Sequence, residues 1–162
     1  MKPKTIVGIV LLVFAAASLV YLVAAEVSKT DEPADADAGG APPTDLPDDA
    51  VVVTYFLTDF RCSTCLKIEA YTKEAVEVGF ADAVADGRLV WRAVNTDEPG
   101  NRHFLDDYQL AAKAVVVSVR RGGKEVAWKN LEDIWYEVGV KDDFLAYIRT
   151  EVAAALGQAK GT

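Results

Sequence analysis

Apolar and polar positions fall into three regimes along the chain. Thr5 to Ala25, TIVGIVLLVFAAASLVYLVAA, is a 21-residue run without a charge. As a helix it would span about 30 Å, close to the hydrocarbon thickness of a bilayer. From Glu26 to Ala50 the sequence EVSKTDEPADADAGGAPPTDLPDDA has no apolar period and carries four of the six prolines and Gly39-Gly40. Such a stretch cannot bury enough apolar surface to offset its ordering entropy, so it predicts a disordered spacer with an r.m.s. reach of about 25–30 Å. Beyond it, short β-branched runs alternate with helical stripes. The chain therefore divides into 1–25, 26–50 and 51–162.

Within the last segment, Val51 to Leu57 (VVVTYFL) is β-branched and aromatic and predicts a buried strand. Cys65, Ile68, Thr72, Ala75, Val76, Gly79, Phe80 and Ala83 recur at three- and four-residue spacing, which predicts one helix closed by Gly87. Arg88 to Asn95 reads as a second strand, Asp97 to Gly100 as a turn, and Asn101 as the cap of a short helix through Tyr108. Ala114 to Val119 is a third strand, turned by Arg120-Arg121-Gly122-Gly123 into Lys124 to Trp128. Lys141 to Leu156 is the last helix, with Phe144, Leu145, Ile148, Val152 and Ala155 as its core stripe. The order is β-α-β-α-β-β-α, an α/β fold. Crossovers imply parallel pairing of the early strands, and the Gly-Gly hairpin an antiparallel edge. Trp91 and Trp128, on strands, are expected in the core; Trp135 caps an end of the core or meets a partner.

Charge sharpens this division. The net charge of −8 is −7 in residues 26–50 and only −3 in 51–162, with Lys2 and Lys4 giving +2 at the start. That excludes a nucleic-acid binder working through a basic surface. Lys2 and Lys4 before the apolar run and Glu26 after it orient the run with its start in the cytoplasm. Residues 51–162 are then expected outside the cytoplasm, in a periplasm or at the cell surface, behind a single-pass anchor. A cleaved signal peptide is the competing reading, because Val23-Ala24-Ala25 offers small residues before Glu26.

The chain has two cysteines, Cys62 and Cys65, placed just after a strand and at the start of a helix. A CxxC in this context reads as a thioredoxin-like redox motif. Orphan N–H groups and the helix dipole favour a thiolate at the helix N-terminus, so the Cys62 thiol should be more acidic than a free one. Arg61 would support that thiolate if its charge points inward, and Asp59 would oppose it. Cys62 is then the attacking sulfur and Cys65 the resolving one. Two alternatives stand beside this reading: an inert bridge in an adaptor domain, and a module binding a soft metal or metalloid ion through both sulfurs. A tetrahedral zinc site is disfavoured, since His103 is the single histidine and reads as a surface residue. No phosphate-binding glycine loop, serine-nucleophile motif, or flavin or nicotinamide pattern is present, so a redox-active Cys62–Cys65 disulfide is the expected centre, without a separate cofactor.

The element order with this CxxC resembles the thioredoxin superfamily over about Val51 to Leu156, which implies a three-layer sandwich. FRCSTCLKIEAYTKEAVE, GRLVWRAVNTDEPGNRHFLDDYQL and VAWKNLEDIW further resemble the ArsF family, called nitrophenyl compound nitroreductase subunits. That resemblance implies a component of a reductive, arsenic- or nitro-compound-related system; the membrane tether points to a protein partner for electron exchange, a membrane redox protein. The departures from thioredoxin are specific. Phe60-Arg61 and Ser63-Thr64 replace the Trp before the motif and the Gly-Pro within it, and Phe56 stands where a buried Asp is usual. Ala114 stands at the place of the cis-proline that faces the motif, so no cis loop is expected.

Overall fold

A computed structural model describes residues 46–160. The expected membrane run and residues 26–45 of the acidic spacer lie outside the described residues. Among the described residues, no helix is long and apolar enough to cross a membrane.

All eight residues of β1 (Ala50–Leu57) are buried, as its unbroken AVVVTYFL composition requires. The strand lies inside a four-stranded sheet of order β2-β1-β3-β4, formed with β2 (Leu89–Asn95), β3 (Ala114–Arg121) and β4 (Lys124–Asn130). Alternation along β1 sorts its side chains between two layers. Val51, Val53, Tyr55 and Leu57 pack with Ile68, Ala75 and Val76 of α1 (Ser63–Glu77) and with Phe144, Ile148 and Val152 of α5 (Lys141–Lys160). Phe56 points the other way, into a smaller cluster with Val94, Tyr108 and Val116, closed by Phe104 of α3 (His103–Asp107). The result is the three-layer arrangement expected.

β1 pairs parallel with β2, as expected of a crossover, but β3 runs antiparallel to β1. The reason is the length of the second connection. The 3₁₀ turn Pro99–Asn101 and the five-residue α3 are too short to carry the chain back along the sheet; α3 rises only about 7.5 Å. β3 therefore starts at the pole where β2 ended, and Ala114 lies opposite Phe56. β3 and β4 form the expected antiparallel hairpin, with a bulge between Val119 and Arg120. At the far pole, the chain leading into β1 is pinned to this hairpin. Gly122 N–H donates to Asp49 Oδ1 (2.9 Å), Gly123 N–H to Asp48 O (3.1 Å), and Arg120 Nε to Pro47 O (3.2 Å). Arg120 and Arg121, expected within the turn, are half-buried ends of β3, and Arg121 also bonds the Gln158 carbonyl of α5.

Three further expectations are corrected. The single helix to Ala83 is two, α1 and α2 (Ala81–Ala85), broken at Val78–Phe80. A Cβ on Gly79 would lie 2.3 Å from Ala75 O and 2.9 Å from Arg149 Nε, so only glycine fits at the break without a shift of its neighbours. Gly87, at φ +71°, ends α2 in the left-handed conformation that favours glycine. Asn101 caps no helix; its buried amide donates to Asn95 O (2.9 Å) and Glu98 Oε2 (3.1 Å), tying the turn to the end of β2. Trp128 is 41% exposed rather than in the core, because β4 is an edge with thin cover. Its ring meets Tyr108 edge-on at 5.2 Å, and Tyr108 donates to Glu125 Oε2 (2.7 Å). Trp91 does pack against the main core. α4 (Ile134–Glu137) is a short helix absent from the sequence reading.

Gly79→Ala should therefore destabilise the protein by about 1–3 kcal/mol, because a backbone carbonyl must shift. Gly100→Ala, where a Cβ meets nothing within 4 Å, should leave stability nearly unchanged. Denaturant midpoints of the two variants against wild type check this contrast.

Candidate redox site

The end of β1 delivers the chain to one pole of the sheet, and β2 fixes where it goes next. Thr96 donates from its backbone N–H (2.9 Å) and from its hydroxyl (3.0 Å) to Leu57 O. Asn95 Nδ2 donates to Asp59 Oδ1 (2.7 Å), and the Asp59 N–H donates to Asp97 Oδ2 (2.8 Å). The loop from Thr58 to Arg61 is thereby held before α1 begins, and Asp59 is engaged by Asn95.

Cys62 is the N-cap of α1, with extended backbone angles of φ −90° and ψ 162°, and its Sγ accepts from the Cys65 N–H at 3.1 Å. A cysteine sulfur thus takes the place that a Ser or Asp oxygen usually fills at a helix start. Cys62 and Cys65 are disulfide-bonded, with Cα atoms 5.0 Å apart. The two sulfurs are not equivalent. Cys65 is 1% exposed and packs in the core, whereas Cys62 is half-buried at the surface. When the pair is reduced, the accessible sulfur is the one facing the orphan N–H groups and the positive end of the α1 dipole.

Two groups absent from the sequence reading lie beside the pair. Tyr55, wholly buried in β1, donates its hydroxyl to the Cys65 carbonyl at 3.1 Å. Burial first, and then the charge of Glu69, push the Tyr55 hydroxyl up to about 12, with Arg61 opposing. Arg61 does not reach toward Cys62 as a free charge; its guanidinium forms a salt bridge with Glu69 on α1. Glu69 was recoverable in principle, since it follows Cys65 by one helical turn. Tyr55 was recoverable from strand parity, since it shares the α1-facing side with Val53 and Leu57.

Ala114, the remaining position singled out from sequence, is buried and opens β3 at this same pole. Its neighbour Lys113 places its ammonium 5.3 Å from the Phe60 ring centre, which joins the approach to β3 to the loop before Cys62. Among the described residues there is no cis peptide bond. A cleft of about 410 Å³ beside this contact is lined by Phe56, Thr58, Asp97, Leu105, Lys113 and Trp135. Trp135 is 41% exposed there, and Phe60, two residues before Cys62, is 74% exposed, so the loop leading to the accessible sulfur presents apolar surface. His103 takes no part: it is exposed, with Nδ1 2.9 Å from Gly100 O and its ring against Phe104.

The sheet order, the antiparallel β3–β4 hairpin and a disulfide at the start of α1 define a thioredoxin-like fold with a CxxC pair at disulfide distance. No family model matches the chain, and no curated protein does. Among solved structures, the chain is similar to a thioredoxin from Thermus thermophilus at 18% identity, over 69% of this chain and 81% of that one, with a TM-score of 0.44.

Tyr55→Phe should cost about 1 kcal/mol at neutral pH through the lost hydrogen bond to Cys65 O. The fold raises the Tyr55 pKa from 10.0 to about 12, so the native state holds this proton where the unfolded chain has released it. The stability drawn from Tyr55 is therefore complete below pH 10 and is lost as pH rises toward 12. Denaturant titrations of wild type and variant across this range should show the wild-type advantage shrinking. An advantage independent of pH would contradict the assignment.

Proposed function

We propose that the protein is a thiol–disulfide oxidoreductase, held on the outer side of a membrane by residues 5–25 and passing electrons through Cys62 and Cys65. The observation that carries this reading is the asymmetry of the pair: an accessible sulfur at the N-cap of a 15-residue helix, bonded to a buried one a turn further on. In the reduced form the Cys62 thiolate attacks a substrate disulfide and expels one thiolate. Cys65 then attacks Cys62 Sγ, releasing the second substrate thiolate and restoring the Cys62–Cys65 disulfide. The substrate disulfide gains the two electrons that the dithiol loses.

The partner we propose is a membrane redox protein. A spacer of about 20 residues, 26–45, keeps the domain within tens of ångströms of such a partner, for an effective concentration on the order of mM. The resemblance of its motif segments to the ArsF family supports a place in a reductive arsenic- or nitro-compound-related system. In such a system another subunit, carrying the cofactor, performs any nitro-group reduction.

Cys62→Ser should abolish disulfide reduction and trap no partner, whereas Cys65→Ser should accumulate a mixed disulfide through Cys62. Non-reducing gels and a disulfide-reduction assay on the full chain read both effects. If neither substitution alters thiol exchange, the oxidoreductase reading fails. A soft ion held stoichiometrically by the reduced protein and lost in both variants would instead assign a binding module. A potential below about −300 mV would mark the bridge as structural.

A further inference from the structure

The resolving step asks more of its surroundings than the first attack does. Cys65 is buried, and burial in apolar surroundings keeps a thiol protonated and unreactive. A group within reach must take that proton as Cys65 attacks. The charged and titratable groups facing this corner are few. From the loop before α1 come Asp59, engaged by Asn95, and Arg61; from the approach to β3 comes Lys113, which sits over the Phe60 ring. From β1 comes Tyr55, whose hydroxyl is committed to the Cys65 carbonyl and stays protonated at neutral pH. From α1 itself comes Glu69.

Glu69 follows Cys65 by four residues, so the two side chains are neighbours on one helix face, with Cβ atoms about 5–6 Å apart. Its side chain is only 15% exposed, and its Oε2 is engaged by Arg61, the residue before Cys62. The ion pair therefore ties the second turn of α1 to the loop before Cys62, four residues from the buried sulfur.

Resting on the oxidoreductase reading above, we propose that Glu69 is the proton acceptor for Cys65 in the resolving step. On the mixed disulfide, the Cys65 thiol passes its proton to the Glu69 carboxylate. The Cys65 thiolate attacks Cys62 Sγ, the bond between Cys62 and the substrate sulfur breaks, and the departing thiolate takes the proton back. Arg61 is the positioning residue, holding the carboxylate through one oxygen.

The test uses the reduced full chain and an aromatic disulfide that releases a coloured thiolate at each step. With Glu69→Gln, the first release and the alkylation rate of Cys62 should stay within about twofold of wild type, while the second release slows about 100-fold at pH 7. The residual second step should rise about tenfold per pH unit as hydroxide replaces the carboxylate, a slope steeper than in wild type. Glu69→Asp, which keeps the acid, should recover part of the rate and the wild-type slope. A second release in Glu69→Gln with wild-type rate and pH profile would overturn the role of Glu69 and leave the oxidoreductase reading standing. A wild-type chain that releases no thiolate through Cys62 would overturn both.

Discussion

Everything in this fold is arranged around a strand that touches no solvent. Each residue of β1 is buried, so the strand must be paired on both edges and covered on both faces at once. Burying a Val, Leu or Phe side chain is worth about 1.5–3 kcal/mol, and β1 supplies such side chains to both layers. The α1 and α5 layer closes over Val51, Val53, Tyr55 and Leu57; the smaller α3 layer closes over Phe56. The exit of β1 then has little freedom, because Thr96 grips Leu57 O and Asn95 grips Asp59. The first cysteine is delivered to a helix start by the packing of a strand that contains no cysteine.

That delivery explains the division of labour between two chemically identical side chains. The helix cap leaves Cys62 at the surface, facing N–H groups, and one turn of helix carries Cys65 into the core above Tyr55. Exposure, hydrogen bonding and the helix dipole all distinguish the sulfurs in the same sense. The Arg61–Glu69 ion pair joins the loop before Cys62 to the second turn of α1.

The parts legible in the sequence are those encoded by local pattern. The β-branched runs marked β1, β2 and β3, the Gly-Gly turn marked β4, the stripe from Phe144 to Ala155 marked the inner face of α5, and the strand-CxxC-helix order placed both cysteines. What escaped depends on contacts between distant segments. The apolar period continues in phase from Val76 to Phe80 and Ala83, so periodicity could not report the break at Gly79, where a Cβ would meet Ala75 O and the Arg149 side chain of α5. The direction of β3 follows from how little of the connecting segment is helical, a quantity that motif boundaries leave open. Trp128 has strand-like neighbours in sequence, but its exposure reflects its edge position in the sheet. The ion pair of Arg61 joins residues eight apart across a helix start, and nothing in the alternation of polar positions marks it.

The pinning of residues 47–49 to the β3–β4 hairpin sets a direction for the whole domain. An eight-residue strand separates that attachment from the disulfide, a length of about 26 Å. Anything preceding residue 46 is therefore joined to one end of the sheet, while the accessible sulfur faces outward from the other.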